Sequence, residues 1–175
     1  MTKKIIFKKL LKISLLVMVG ILANGAFAQL INKPAPLFSG TSMDGKTVQL
    51  SDYKGKVVLL DIWASWCGPC KKEMPFLIDI DKRYRDKGLV ILAVNIDKDV
   101  QNIKKFISCL EVPPVFPVII DNESKIPPLY QLKGMPTTVL IDREGLIRYR
   151  HTGFKDEKKD EYLKEISTLL GEKSE

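Results

Sequence analysis

Cys67 and Cys70 stand three residues apart in Trp66-Cys67-Gly68-Pro69-Cys70, where an apolar run gives way to a helix. The run before them, Val57-Val58-Leu59-Leu60-Asp61-Ile62-Trp63, reads as a buried strand. Side chains at i and i+3 share one face of the first helical turn. A Cα separation of roughly 5.5 Å there suits an S–S bond. A bond that closes so short a loop removes little chain entropy, which makes it a poor staple and leaves a functional dithiol as the better reading. The chain has three cysteines, the third being Cys109, whereas a disulfide scaffold shows four, six or eight. Structural zinc is the other use of such a pair. Zinc needs four ligands, and beyond these two cysteines the chain offers only Cys109 and the single histidine, His151. No metal and no cofactor is expected.

The N-terminus carries its own signal. Lys3, Lys4, Lys8, Lys9 and Lys12 form a basic segment, Ile13 to Ala23 an apolar one, and Ala26-Phe27-Ala28 a small-residue cleavage site. The apolar run is about 11 residues, against the ~20 that a spanning helix needs. Residues 1–28 are therefore expected to be a cleavable signal peptide and residues 29–175 the mature domain. No cysteine lies near the cleavage site, so a lipid-anchored start is not expected. Subtracting the five leader lysines from the formal charge of +7 leaves +2, and the basic balance is an export signal rather than a nucleic-acid footprint. Export places the dithiol in an oxidising compartment, periplasmic or otherwise extracytoplasmic.

The mature part reads as a hairpin from Leu37 to Leu50 around an Asp44-Gly45 turn, then the strand at 57–63 and a helix from about Pro69 to Asp86. A continuous apolar strand follows at 89–94, then a helix capped by Asp97 or Asp99 with a stripe of Ile103, Phe106, Ile107 and Leu110. A short strand at 117–121, a helical piece at 126–132, a hairpin from Thr137 to Arg150 and an amphipathic helix from Asp156 to Leu170 complete it. Strand–helix alternation argues for a parallel centre, and the late hairpin adds antiparallel edges.

At this point the residues resemble a known family. Asp61 to Cys70 resembles the active-site segment of thioredoxins. Pro34-Ala35-Pro36-Leu37-Phe38, Gly55-Lys56, Lys71-Lys72-Glu73-Met74-Pro75 and Gly134-Met135-Pro136-Thr137-Thr138 together look like the TlpA/ResA-type extracytoplasmic thioredoxin-like proteins. The resemblance runs from about residue 33 to 170. It implies an α/β thioredoxin fold with an N-terminal β-hairpin and a central insertion, and thiol–disulfide oxidoreductase activity.

The resemblance also assigns roles. Cys67, at a helix N-terminus, meets free N–H groups and the positive end of the helix dipole, which favour its thiolate as nucleophile. Lys71 and Lys72 either assist or are solvated lysines of the helix surface. Cys70 is the resolving thiol, which attacks Cys67 after a mixed disulfide forms. Asp61, a carboxylate in an apolar strand, should have a raised pKa and corresponds to the aspartate proposed as proton acceptor. Ala93 stands where cytosolic thioredoxins carry the lysine partner of that aspartate. Pro136 resembles the family's cis-proline, which would set Met135 beside Cys67 and leave backbone free to pair with a client. Trp66, Gly68 and Pro69 shape the docking surface. Gly68-Pro69 is the dipeptide of thioredoxin, at about −270 mV, rather than of the oxidant DsbA, at about −120 mV. The resemblance thus implies a reductase, supplied by a membrane thiol transporter and acting on oxidised proteins such as apocytochrome c.

Other readings use the same fold. A disulfide oxidase or isomerase would run the dithiol in another direction. A peroxiredoxin needs Pro-x-x-x-Thr-x-x-Cys, and Ala64 occupies the threonine position. A copper carrier of the Sco-like type needs three residues between its cysteines plus a histidine, and here the gap is two. A pure binding module would not need both cysteines.

Overall fold

Among the described residues seven strands form one sheet, and its interior strand β3 (Val57–Trp63) delivers the chain to the dithiol. The computed structural model describes residues 30–171. The expected signal peptide and its cleavage site lie outside these residues. The other elements are β1 (Ser39–Ser42), β2 (Thr47–Gln49), α1 (Gly68–Tyr84), β4 (Leu89–Asn95), α2 (Val100–Ser108), β5 (Val118–Ile120), β6 (Thr137–Ile141), β7 (Ile147–Thr152) and α3 (Lys159–Leu170). The strand order is β2-β1-β5-β4-β3-β6-β7, in which β3, β4 and β5 run parallel while β1, β2, β6 and β7 join antiparallel. This is the α/β thioredoxin-like fold, extended by the N-terminal hairpin and by α2 and β5 between β4 and β6.

Strand β3 is buried throughout, and apolar but for Asp61, because it is interior to the sheet and covered on both faces. Its side chains alternate. Val57, Leu59 and Trp63 enter one core with Met74, Leu77 and Ile80 of α1 and Tyr162 and Ile166 of α3. Val58, Leu60 and Ile62 enter the other, against Leu50, Tyr130, Val139 and Ile147. Asp61 falls in step with Leu59 and Trp63, so the pleat turns its carboxyl to the face that α1 covers.

The first hairpin turns at Asp44-Gly45, where Gly45 has φ +81°, a region that costs glycine little. Of the two candidate caps for α2, Asp99 does the work: its side chain accepts from Gln101 N at 2.9 Å. Asp97 turns inward instead. Helix α2 stops at Ser108, so Leu110 packs from the loop beyond it rather than from the helical stripe. The last helix begins with a 3-10 turn at Asp156–Lys158 before α3 proper.

Candidate active site

Strand β3 ends at Trp63, and after three intervening residues the chain turns into α1 with Cys67 as its N-cap. Cys67 and Cys70 are joined by a disulfide, with Cα atoms 5.3 Å apart. The Cys67 sulfur accepts from Cys70 N at 3.3 Å, so a free donor of the first turn points at it. Helix onset here follows from the residues. Pro69 suits the first turn because its missing N–H is not needed there and its φ is already helical.

The two sulfurs are unequal. Cys70 lies 1% exposed in the core beside Trp63, Ala64 and Met74, while Cys67 lies at the rim, 6% exposed. Trp66 at 63%, with Gly68 and Pro69 also exposed, forms the surface around it. Lys71 and Lys72 are exposed. The Met135–Pro136 peptide bond is cis. Met135 packs on the core cluster that contains Cys67 and Cys70, and Pro136 is buried. Trp66, Cys67, Gly68, Pro69 and Met135 thus lie at one end of the sheet.

The approach to the dithiol is held by an inward-facing carboxylate. Asp97 accepts from Ser65 N at 3.0 Å, Ser65 Oγ at 3.1 Å and Asn95 Nδ2 at 2.9 Å. Asn95 in turn accepts from Asp97 N at 2.8 Å. The network ties the end of β4 to the residue before Trp66.

On the face of β3 that α1 covers, the face shared with the dithiol, lies a buried acid with a partner that the sequence alone does not point to. Asp61 is paired in register with Ala93 of β4 and Thr138 of β6. No lysine stands at either place. Instead Glu73, one helical turn beyond Cys70 on the inner stripe of α1, is 1% exposed. Its Oε1 accepts from Thr138 Oγ1 at 2.9 Å and lies 3.3 Å from the Tyr162 hydroxyl. Oδ1 of Asp61 and Oε2 of Glu73 are buried without a hydrogen-bond partner among the described residues. An ionised oxygen in that position is costly. Burial, and then repulsion from Glu73, holds the Asp61 carboxyl well above the usual range. Burial likewise pushes Glu73 up to about 7, against the pull of its two hydrogen bonds and of His151. A buried carboxyl that titrates near neutrality, as Glu73 does, can take and return a proton close to a thiol pair.

Cys109 caps the C-terminal end of α2 as a free, exposed thiol. His151 pairs with Glu165. No cluster of three or more His, Cys, Asp or Glu residues able to hold a metal occurs among the described residues.

Comparison with known proteins gives one answer. The Redoxin family model matches residues 30–166. Thiol-disulfide oxidoreductase ResA of Bacillus thuringiensis subsp. konkukian is 38% identical over 138 residues, 78% of this chain and 79% of its own length. The crystal structure of a Chlorobium tepidum protein assigned as thiol:disulfide interchange protein DsbE superposes with a TM-score of 0.76 at 40% identity, covering 81% of this chain and 98% of that one. The exposed lipoprotein thioredoxin Etrx1 of Streptococcus pneumoniae strain TIGR4 superposes with a TM-score of 0.66 at 34% identity, covering 77% of this chain and all of that one.

Proposed function

This chain belongs to the redoxin family as a thiol–disulfide oxidoreductase that acts on protein thiols, and we propose that it works outside the cytoplasm as a reductase. The observation that carries the direction is the Gly68-Pro69 pair inside a dithiol whose outer sulfur sits at a helix N-terminus. That dipeptide, by analogy with thioredoxin, sets a potential about 150 mV below DsbA, or about 7 kcal/mol for two electrons.

In the proposed cycle the Cys67 thiolate attacks a client disulfide. A Cys67–client S–S bond forms, the client S–S bond breaks and one client sulfur leaves as thiolate. Cys70 then gives its proton to the buried Asp61–Glu73 pair and attacks the Cys67 sulfur. The mixed disulfide breaks, the second client sulfur leaves, and the protein is left oxidised with the client reduced by two electrons. Trp66, Gly68, Pro69 and Met135, with the backbone before Pro136, form the surface on which the client segment lies. A thiol donor must then reduce Cys67–Cys70 again.

Client and donor follow from the proposed location. Residues 1–28 act as a signal peptide, residues 29–175 form the exported domain, and the donor is a membrane thiol transporter. Apocytochrome c is the candidate client, with a role in cytochrome c maturation. The leader pattern supports export, and the Streptococcus pneumoniae relative is itself an exposed lipoprotein. No helix among the described residues is long and apolar enough to cross a membrane. N-terminal sequencing of protein recovered from an exporting bacterial host should begin at Gln29; a chain that still starts at Met1 argues for a retained leader.

Equilibration of the purified domain with reduced and oxidised glutathione tests the direction. A potential below about −200 mV is expected. A value near that of DsbA makes the protein an oxidant, the second reading of the same site.

A further inference from the structure

His151 is a titratable group that the proposed cycle does not use, and it sits one residue layer from the buried acids. On β7 it lies directly across from Thr138 of β6. Its ring stacks on Tyr162 of α3, with centroids 4.1 Å apart and planes 24° apart. Its Nε2 is 2.6 Å from Oε2 of Glu165, and the two side chains are only 12% and 13% exposed. The Tyr162 hydroxyl lies 3.3 Å from Glu73 Oε1 and 3.2 Å from Thr138 Oγ1, which itself donates to Glu73. One face of Tyr162 therefore carries the imidazole while its hydroxyl touches the carboxyl of Glu73. The far side of His151 opens on a groove of about 430 Å³ between β7 and α3.

Of the cations that share this groove, the two arginines are engaged outside it, while Lys158 pairs within it and also acts on Glu165. Arg148 pairs with Asp142 at 3.0 Å, Arg150 donates to Gln131 O at 2.8 Å, and Lys158 pairs with Glu161 at 2.5 Å. Glu161 and Glu165 of α3 are the anions that face His151, and Glu73 of α1, with Asp61 of β3 behind it, lies beyond the tyrosine. On the inner side of the sheet, Ala93 leaves the Asp61 register position without a charge.

We propose that His151 is a positioning residue for the dithiol reaction: its imidazolium, held by Glu165 against the Tyr162 ring, is the cation that favours the proton-accepting form of Glu73. This rests on the reading of Asp61 and Glu73 as the acceptor pair. The pull of His151 on Glu73 has the sign the arrangement requires, since a positive charge favours the carboxylate.

The test is a ¹³C NMR titration of the Glu73 side-chain carboxyl in the oxidised protein, comparing wild type with His151→Phe and His151→Gln. Phe keeps a ring on Tyr162 and removes the charge; Gln removes both, and it carries the test if the Phe variant does not fold. In each variant the Glu73 midpoint should rise by roughly half to one pH unit, and the pH–rate profile of insulin reduction should move with it. An unmoved midpoint in His151→Phe overturns the proposal and leaves the imidazole a packing role. Glu73→Gln separates this failure from that of the acceptor reading. If the acidic limb of the profile persists in Glu73→Gln, the acceptor reading falls and takes the proposal with it. If the limb is lost there while His151→Phe titrates as wild type does, only the role of His151 falls.

Discussion

Cys67→Ser is expected to bring insulin reduction in the presence of dithiothreitol down to the rate of dithiothreitol alone. The loss should be on the order of 10³-fold or more, the scale on which removing an attacking nucleophile acts. The reason is positional. Cys67 is the sulfur at the rim and at the open end of α1, whereas Cys70 lies 1% exposed beneath it. In the proposed cycle a client disulfide meets the first and not the second. Cys70→Ser should therefore fail in a different way, with the first attack intact and the release step lost. The expected result is a mixed disulfide between Cys67 and the client, visible as a shifted band on a non-reducing gel and cleared by added thiol. If Cys67→Ser turns over insulin as wild type does, or if the trapped adduct maps to Cys70, the assignment of attacking and resolving sulfurs is wrong.

The legible part of the site was its local part. Strand β3 is readable to the residue because a strand covered on both faces shows a continuous run of apolar residues, and Asp61, the one polar residue in it, stands out by contrast. The hairpin was readable because Asp44-Gly45 states its turn. Glu73 enters the sequence reading only within the family-like Lys71-Lys72-Glu73-Met74-Pro75 run, where two exposed lysines stand before it and nothing local marks it as a site residue. Its signal was nonetheless present. Glu73 lies three residues after Cys70 and four before Leu77, squarely on the stripe that α1 turns to the core. Asp97 hid for another reason. An acid just before a helix reads as a cap, and only the sheet, by setting the end of β4 beside the end of β3, shows that it serves Ser65 instead. The partnership of His151, Tyr162 and Glu73 joins three elements far apart in sequence, and no spacing rule reaches across them.

The second large effect is pH dependence, and it separates a buried acid pair from an ordinary satisfied one. Glu73 holds its proton to about pH 7 in the folded chain and releases it near 4.5 when unfolded. Between those values the folded state binds more protons, so stability falls as pH rises. The contribution is complete below pH 4.5 and gone above about 7. At about 1.4 kcal/mol per unit, this span is on the order of 3 kcal/mol, and Asp61, shifted in the same direction, adds slope of the same sign. Urea unfolding of the oxidised domain should therefore give a higher free energy at pH 5 than at pH 8. Glu73→Gln stays neutral and keeps an oxygen to accept from Thr138 and Tyr162. It should flatten much of that slope and be more stable than wild type at pH 8 by about 1–3 kcal/mol. The same variant should slow the resolving step at neutral pH by roughly tenfold to a hundredfold, because a group that titrates near the working pH is the effective base. Asp61→Asn should act in the same direction on both readouts. A Glu73→Gln protein that is less stable than wild type at pH 8 would mean that the carboxylate is well paired in the folded state. The Asp61–Glu73 pair could then no longer serve as the acceptor of the Cys70 proton.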